Sequence, residues 1–162
     1  MDAFKLRIGT PEDDRFVARC FYQMWRDIGL APAELLAPDV AEARVLEFLA
    51  RGRAELQLAT VIADDAASAE LERHVGCAVC QRHALYPDIL QPSARGYGYI
   101  WGVYVDAARR GAGLGARLTR ACMDHLRAVG CTHAVLNAAP LARGLYERLG
   151  FTANNEMRVA LT

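Results

Sequence analysis

The run Arg109-Arg110-Gly111-Ala112-Gly113-Leu114-Gly115-Ala116 holds the residues best placed to do chemistry in this chain. Glycines at alternate positions remove the Cβ atoms that would hold a ligand away from the backbone. An extended apolar segment, Tyr97 to Val105, precedes the run, and a segment of helical periodicity follows it. The N–H groups of Gly111 to Gly115 therefore stand at a helix start, without intrahelical partners and at the positive end of the macrodipole. Such a turn binds a phosphate or pyrophosphate readily, and Arg110 adds a cation beside it.

Three fingerprints compete for this turn. A P-loop needs Gly-Lys-Ser/Thr after its glycines, and no such triplet is present. A dinucleotide fingerprint could use Gly111-x-Gly113 with Ala116 at the third place. Too little chain follows, however, for the remaining strands and helices of a doubly wound nucleotide domain. The third is Arg110-x-x-Gly113-x-Gly115, preceded by Val105-x-Ala107. It resembles the acyl-CoA pyrophosphate loop of the GCN5-related N-acetyltransferases (GNAT), with Ala107 where proline is usual.

A second block strengthens that resemblance. Leu145-Tyr146-Glu147-Arg148-Leu149-Gly150-Phe151 is similar to the other signature of the same family, a helix that ends in a glycine turn before a strand. The local physics agrees: Pro140 suits a first helical position, and Leu141, Leu145 and Leu149 recur on one face. Gly150 suits the left-handed C′ position, with Phe151 covering the last turn.

The resemblance implies an α/β (α+β) fold with a mixed, mostly antiparallel sheet of six to seven strands and about four helices. The sheet splays between the strands that flank the phosphate-loop helix, here Tyr99 to Val105 and Ala134 to Asn137. The pantetheine arm of acetyl-CoA lies in that opening, on backbone groups of Val103, Tyr104 and Val105. The amides of Gly111, Ala112, Gly113, Leu114, Gly115 and Ala116, with Arg110, hold the pyrophosphate. Tyr146 matches the position whose hydroxyl protonates the departing thiolate, a role open to a phenol of pKa about 10. Ala139 stands where many relatives carry asparagine, and Asn137 is the candidate replacement as a pantetheine contact. Tyr99 occupies the position of the glutamate that relatives use as a base. A water chain ending at Asp88, Glu156 or a backbone carbonyl is the expected substitute. Acceptor-holding loops are expected near Trp25 and Leu85 to Gly96.

Whole-chain properties bound the answer. The 162 residues read as one acyl-CoA N-acyltransferase domain spanning 1–162, able to bury roughly 70% of its unfolded surface. Nineteen basic and nineteen acidic side chains balance, and no basic stripe suggests nucleic acid. No apolar run is long enough for a membrane span, and Met1-Asp2-Ala3-Phe4-Lys5 does not read as a signal sequence. Five cysteines without a framework fit a reducing cytoplasm. Cys77-x-x-Cys80 lies within a strand pattern, so its sulfurs should face opposite sides, and no metal is expected.

The expected activity is transfer of acetyl from acetyl-CoA to a primary amine of a small or amino-acid-like molecule. Acetylation of a protein lysine or N-terminus, and acyl-CoA sensing without turnover, are the alternatives. A homodimer is common in the family.

Around these motifs the pattern sets out strands at Leu6 to Gly9, Leu56 to Ala63, Val75 to Tyr86, Tyr97 to Val105, His133 to Asn137 and Glu156 to Leu161. Helices are expected from Pro11 to Ile28, Val40 to Ala50 (capped by Asp39, closed by Gly52), Gly113 to Val129 and Pro140 to Leu149. Tyr97, Tyr99 and Trp101 should share one strand face, with Tyr104 on the other.

Overall fold

A computed structural model describes residues 3–69, 73–83, 87, 89–91 and 93–161. Thr10 and Pro11 open the first helix as the sequence suggests. The Asp13 carboxylate accepts the Thr10 backbone N–H at 2.7 Å, and a 3₁₀ turn leads into α1 (Asp14–Asp27). This helix follows β1 (Phe4–Ile8) and precedes α2 (Pro38–Glu55). Pro38 takes the first helical position of α2, so the cap is Ala37 and Asp39 falls in the first turn, not at the cap. Gly52 does not close α2. It is buried inside the helix, where an added Cβ would meet Leu58 Cδ1 at 2.5 Å; its absence lets the next segment pack close.

Strands β2 (Ala59–Asp65), β3 (His74–Arg82) and β4 (Tyr97–Val105) pair antiparallel in sequence order with β1. After α3 (Leu114–Ala128), β5 (His133–Val135) adds in parallel to β4, and α4 (Arg143–Arg148) completes the regular elements. Helices α1 and α2 cover one face, burying Val17, Cys20 and Leu49 against Ile62, Cys77 and Val79. Helix α3 covers the other. Its residues Leu114, Leu118, Cys122 and Leu126 recur every fourth position and are all buried against Val61, Ala78, Cys80 and Ile100. Cys77 and Cys80 thus lie on opposite sides of the sheet, as strand geometry requires. The thiol of Cys77 is pushed up well above the usual cysteine range by its contact with Cys20 and by burial.

The sheet has five strands among the described residues, where six to seven are expected. The missing one is Glu156 to Leu161. Met157, Val159 and Leu161 do alternate, but all three are exposed and the segment joins no ladder. Asn155 donates its N–H to the Asn154 side chain at 2.9 Å, a local bond that competes with strand pairing. β3 ends at Arg82 rather than Tyr86; residues 84–86 lie outside the described residues. The Pro140 segment begins as a 3₁₀ turn, which advances 120° per residue. Leu141 is therefore rotated off the Leu145 and Leu149 face and is fully exposed.

Candidate active site

Strand β4 makes two departures from a regular strand, and both shape the site. The first is a bulge. Between Cys77↔Tyr104 and Val79↔Trp101, β3 advances two residues while β4 advances three. Gly102 absorbs the extra residue with φ +61°, a conformation that bulky side chains resist. One inserted residue reverses the alternation beyond it. Trp101 and Tyr104 consequently pack on the same face, against the α1 layer, while Val103 and Val105 turn to the α3 layer. The expectation that Tyr104 opposes Trp101 is corrected by this bulge.

The second departure is a divergence. β4 and β5 pair only at Tyr97↔His133, Gly98↔Ala134 and Tyr99↔Val135. From Ile100 to Val105 the β5 side of β4 has no strand partner among the described residues. Asn137 bridges the mouth of this opening, donating from Nδ2 to the Tyr99 hydroxyl at 2.8 Å. The Tyr99 hydroxyl is raised above the usual phenol range, first by burial and then by the negative charge of Glu156.

Beyond Val105 the chain turns through Gly111 and Gly113, at φ +87° and +75°, into α3. Neither glycine has an atom within 4 Å of where a Cβ would stand, so both border open space. A substitution there is opposed by backbone conformation rather than by a protein neighbour. The first helical bond of α3 is Arg117 N–H to Gly113 O at 3.2 Å. Among the described residues, no hydrogen bond takes up the N–H groups of Gly111, Ala112, Gly113, Leu114, Gly115 or Ala116. They form the donor array that the sequence suggests. Gly115 has a second use: an added Cβ would sit 3.1 Å from Leu145 Cδ1, so its bareness seats α4 on α3.

The loop is braced from both sides by arginines whose partners the sequence does not reveal. Arg110 donates Nε to Val105 O at 2.9 Å and Nη2 to Asp27 at 2.6 Å, with its guanidinium 5.6 Å from the Tyr104 ring centre. Arg109 pairs with Asp65 at 2.9 Å. Arg110 is thus a strut between β4 and α1 rather than a free cation, and Asp27 and Asp65 become positioning residues. Gly102, one of two glycines inside the strand pattern of Tyr97 to Val105, was the legible signal of the bulge, and Gly98 carries the same signal without one.

Tyr146 is buried on α4 and meets Phe151 edge-on, with ring centres 5.9 Å apart. Phe151 N–H reaches Tyr146 O and Gly150 N–H reaches Glu147 O, both at 3.0 Å, the paired bonds of a Schellman cap. Among the described residues nothing hydrogen-bonds the Tyr146 hydroxyl. Burial, and then Cys122, push its pKa up, which keeps it a proton donor across neutral pH.

A cavity of about 700 Å³ opens at the divergence, bounded by Tyr99, Trp101 and Asn137 below and by residues of α1 and α2, Trp25 among them, above. None of the described residues in Leu85 to Gly96 lines it, and Leu85 and Asp88 lie outside the described residues.

A family model described as the acetyltransferase (GNAT) family matches residues 25–151, a span that includes Trp25, Trp101 and Asn137 of the cavity lining, the glycine loop and Tyr146. The chain belongs to this family. It is an N-acetyltransferase of the GNAT type. Over 126 residues it is 33% identical to glucosamine 6-phosphate N-acetyltransferase 1 of Oryza sativa subsp. japonica, covering 78% of this chain and 70% of that one. A GCN5-related N-acetyltransferase from Ralstonia eutropha JMP134 shares the fold with a TM-score of 0.78 at 21% identity, over 98% of both chains. A predicted acetyltransferase from Clostridium acetobutylicum, solved with acetyl-CoA, has a TM-score of 0.77 at 17% identity, over 97% of this chain and 95% of that one. No helix among the described residues of this acetyltransferase is long and apolar enough to cross a membrane.

Proposed function

We propose that this acetyltransferase moves the acetyl group of acetyl-CoA directly to the primary amine of a small molecule. One observation carries the reading: unpaired amides at the head of α3 adjoin a stretch of β4, Ile100 to Val105, whose β5 side has no strand among the described residues. The amides suit a pyrophosphate, and the strand edge suits the amide-bearing arm of pantetheine. The divergence then receives the thioester, with the cavity on its far side for the amine. The name of the rice relative, which specifies an amino sugar phosphate, supports a small acceptor.

The neutral amine attacks the thioester carbonyl carbon. The C–N bond forms, the C–S bond breaks, and the thiolate takes the proton of the Tyr146 hydroxyl. The proton lost by nitrogen leaves through water, for which Glu156 is the carboxylate whose charge reaches Tyr99. Holding both reactants in the gap supplies much of the rate.

Calorimetric titration with acetyl-CoA, followed by a thiol-release assay across amines and a lysine peptide, tests this. Saturable heat and thiol release with a small amine are expected. Folded protein that gives no heat contradicts the reading. Heat without any acetylation turns it into an acyl-CoA sensor, and turnover of the peptide alone moves the acceptor to proteins.

A further inference from the structure

The acceptor side of the cavity carries a chemical signature of its own. Its wall is a continuous aromatic chain. Trp25 meets Phe21 edge-on at 6.0 Å between centres, Phe21 meets Trp101 at 5.0 Å, and Trp101 meets Phe48 at 5.5 Å. Trp25 and Phe48 are 36% and 37% exposed, so large apolar faces are held open to the cavity instead of closing on each other. Next to the wall, Trp101 Nε1 donates to Gln81 Oε1 at 3.1 Å and Asn137 Nδ2 donates to the Tyr99 hydroxyl, so these groups are partly spent on one another. On the aromatic wall itself a polyhydroxylated ring would find few partners, and desolvating its hydroxyls there would go unrepaid.

The charged side chains among the described lining residues are both arginines. Arg44 on α2 and Arg158 on the C-terminal segment both line it, and among the described residues neither has an ion-pair partner. Among the described residues no Asp or Glu lines the cavity; Glu156 is the carboxylate whose field is felt at Tyr99. Two free guanidiniums attract a carboxylate or phosphate and repel a polyamine. The volume of about 700 Å³ falls within the roughly 300–1,000 Å³ of small-molecule sites.

We propose that the acceptor is a ring-bearing, apolar primary amine carrying one anionic group, its ring on the Trp25–Phe21–Trp101–Phe48 wall and its anion on Arg44 or Arg158. This rests on the function proposed above and narrows its substrate class. It separates this chain from an acetyltransferase of sugar phosphates, whose acceptors carry the anion without the apolar body.

The chain's two tryptophans are both in the wall, so intrinsic fluorescence reports the occupant directly. The probes are 4-(2-aminoethyl)benzoate, 2-phenylethylamine, glucosamine 6-phosphate and spermidine, each titrated into the acetyl-CoA-saturated protein and assayed for thiol release. The aminoethylbenzoate should quench or shift the tryptophan emission saturably. It should also show the highest kcat/KM, roughly tenfold above 2-phenylethylamine, as expected for a charge-assisted contact. Arg44→Gln with Arg158→Gln should bring that ratio near one. Trp25→Ala should lower kcat/KM for the two phenyl-bearing amines more than for glucosamine 6-phosphate. Heat on acetyl-CoA addition verifies that each variant is folded. Preference for glucosamine 6-phosphate or spermidine, unmoved emission with saturating aminoethylbenzoate, or a ratio unchanged in the double variant overturns the acceptor class while acetyl-CoA heat keeps the proposed function. Loss of acetyl-CoA heat in the unaltered protein removes both.

Discussion

Tyr146 is held by a capped helix end, its ring against Phe151 and its hydroxyl without a protein partner among the described residues. Burial raises its pKa, so the neutral, donating form persists through the physiological range and is lost only above the ordinary tyrosine value of about 10. Tyr146→Phe should lower kcat by roughly a hundredfold or more while the calorimetric affinity for acetyl-CoA stays close to that of the unaltered protein. An unchanged kcat would take the acid role away from it. The alkaline limb of the kcat profile should correspondingly begin only above pH of about 10. The motif around Tyr146 was readable from residue types, because a helix stop, a glycine and an aromatic have fixed local uses. The partners of Arg109 and Arg110 were not. Asp65 and Asp27 come from distant positions, and nothing local to either end marks the pairing.

At the scale of elements, the strand β4 and the loop after it do what a straight strand and an ordinary turn could not. Gly102→Ala puts a side chain at φ +61°, where left-handed backbone costs roughly 1–2 kcal/mol. An added Cβ would itself find room, 3.6 Å from Phe21 and 3.7 Å from Val79. A stability loss of that size in urea melts is therefore expected, with a larger fall in kcat/KM as Tyr104 and Val103 lose their faces. Wild-type turnover in Gly102→Ala would show that the bulge is incidental. Gly113→Val should weaken acetyl-CoA binding at least tenfold, because its side chain projects into the open space over the loop; full calorimetric affinity would contradict the loop assignment. Periodicity located α1 and α3 well, since each has one face buried and one not, and the apolar run located β4. It failed where burial was absent or two-sided. The alternation at Met157, Val159 and Leu161 has no sheet to face, and Gly52 sits inside α2 because Leu58 fills the space a side chain would need.

For the whole molecule, a charged knot joins the far end of the sheet to the start of α1. Arg7 forks onto Asp13 at 2.8 and 2.7 Å and reaches Asp64 at 2.9 Å, while His74 holds the other Asp64 oxygen at 2.6 Å. Arg7 holds the Asp13 carboxyl down to about 2. A depressed folded-state pKa adds stability above the unfolded value near 4 and loses it as pH falls toward 2. Thermal unfolding should therefore drop over that window in the unaltered protein. In Arg7→Ala the drop should be shallower, on a baseline lower by about 3 kcal/mol, as for a broken, mostly buried pair. An acid profile that Arg7→Ala leaves unchanged would assign the loss elsewhere. This knot ties β1, β2 and β3 to the start of α1, next to Asp65, which braces Arg109 of the loop. The proposed catalysis depends on the junction of β4, the loop and α3. The most direct test of that junction is a titration of acetyl-CoA into nitrogen-15-labelled protein, followed amide by amide. The largest shifts should fall on Gly111 to Ala116 and on Ile100 to Val105, with β1 and α2 nearly still. Saturating acetyl-CoA that moves neither of those two stretches would contradict the account.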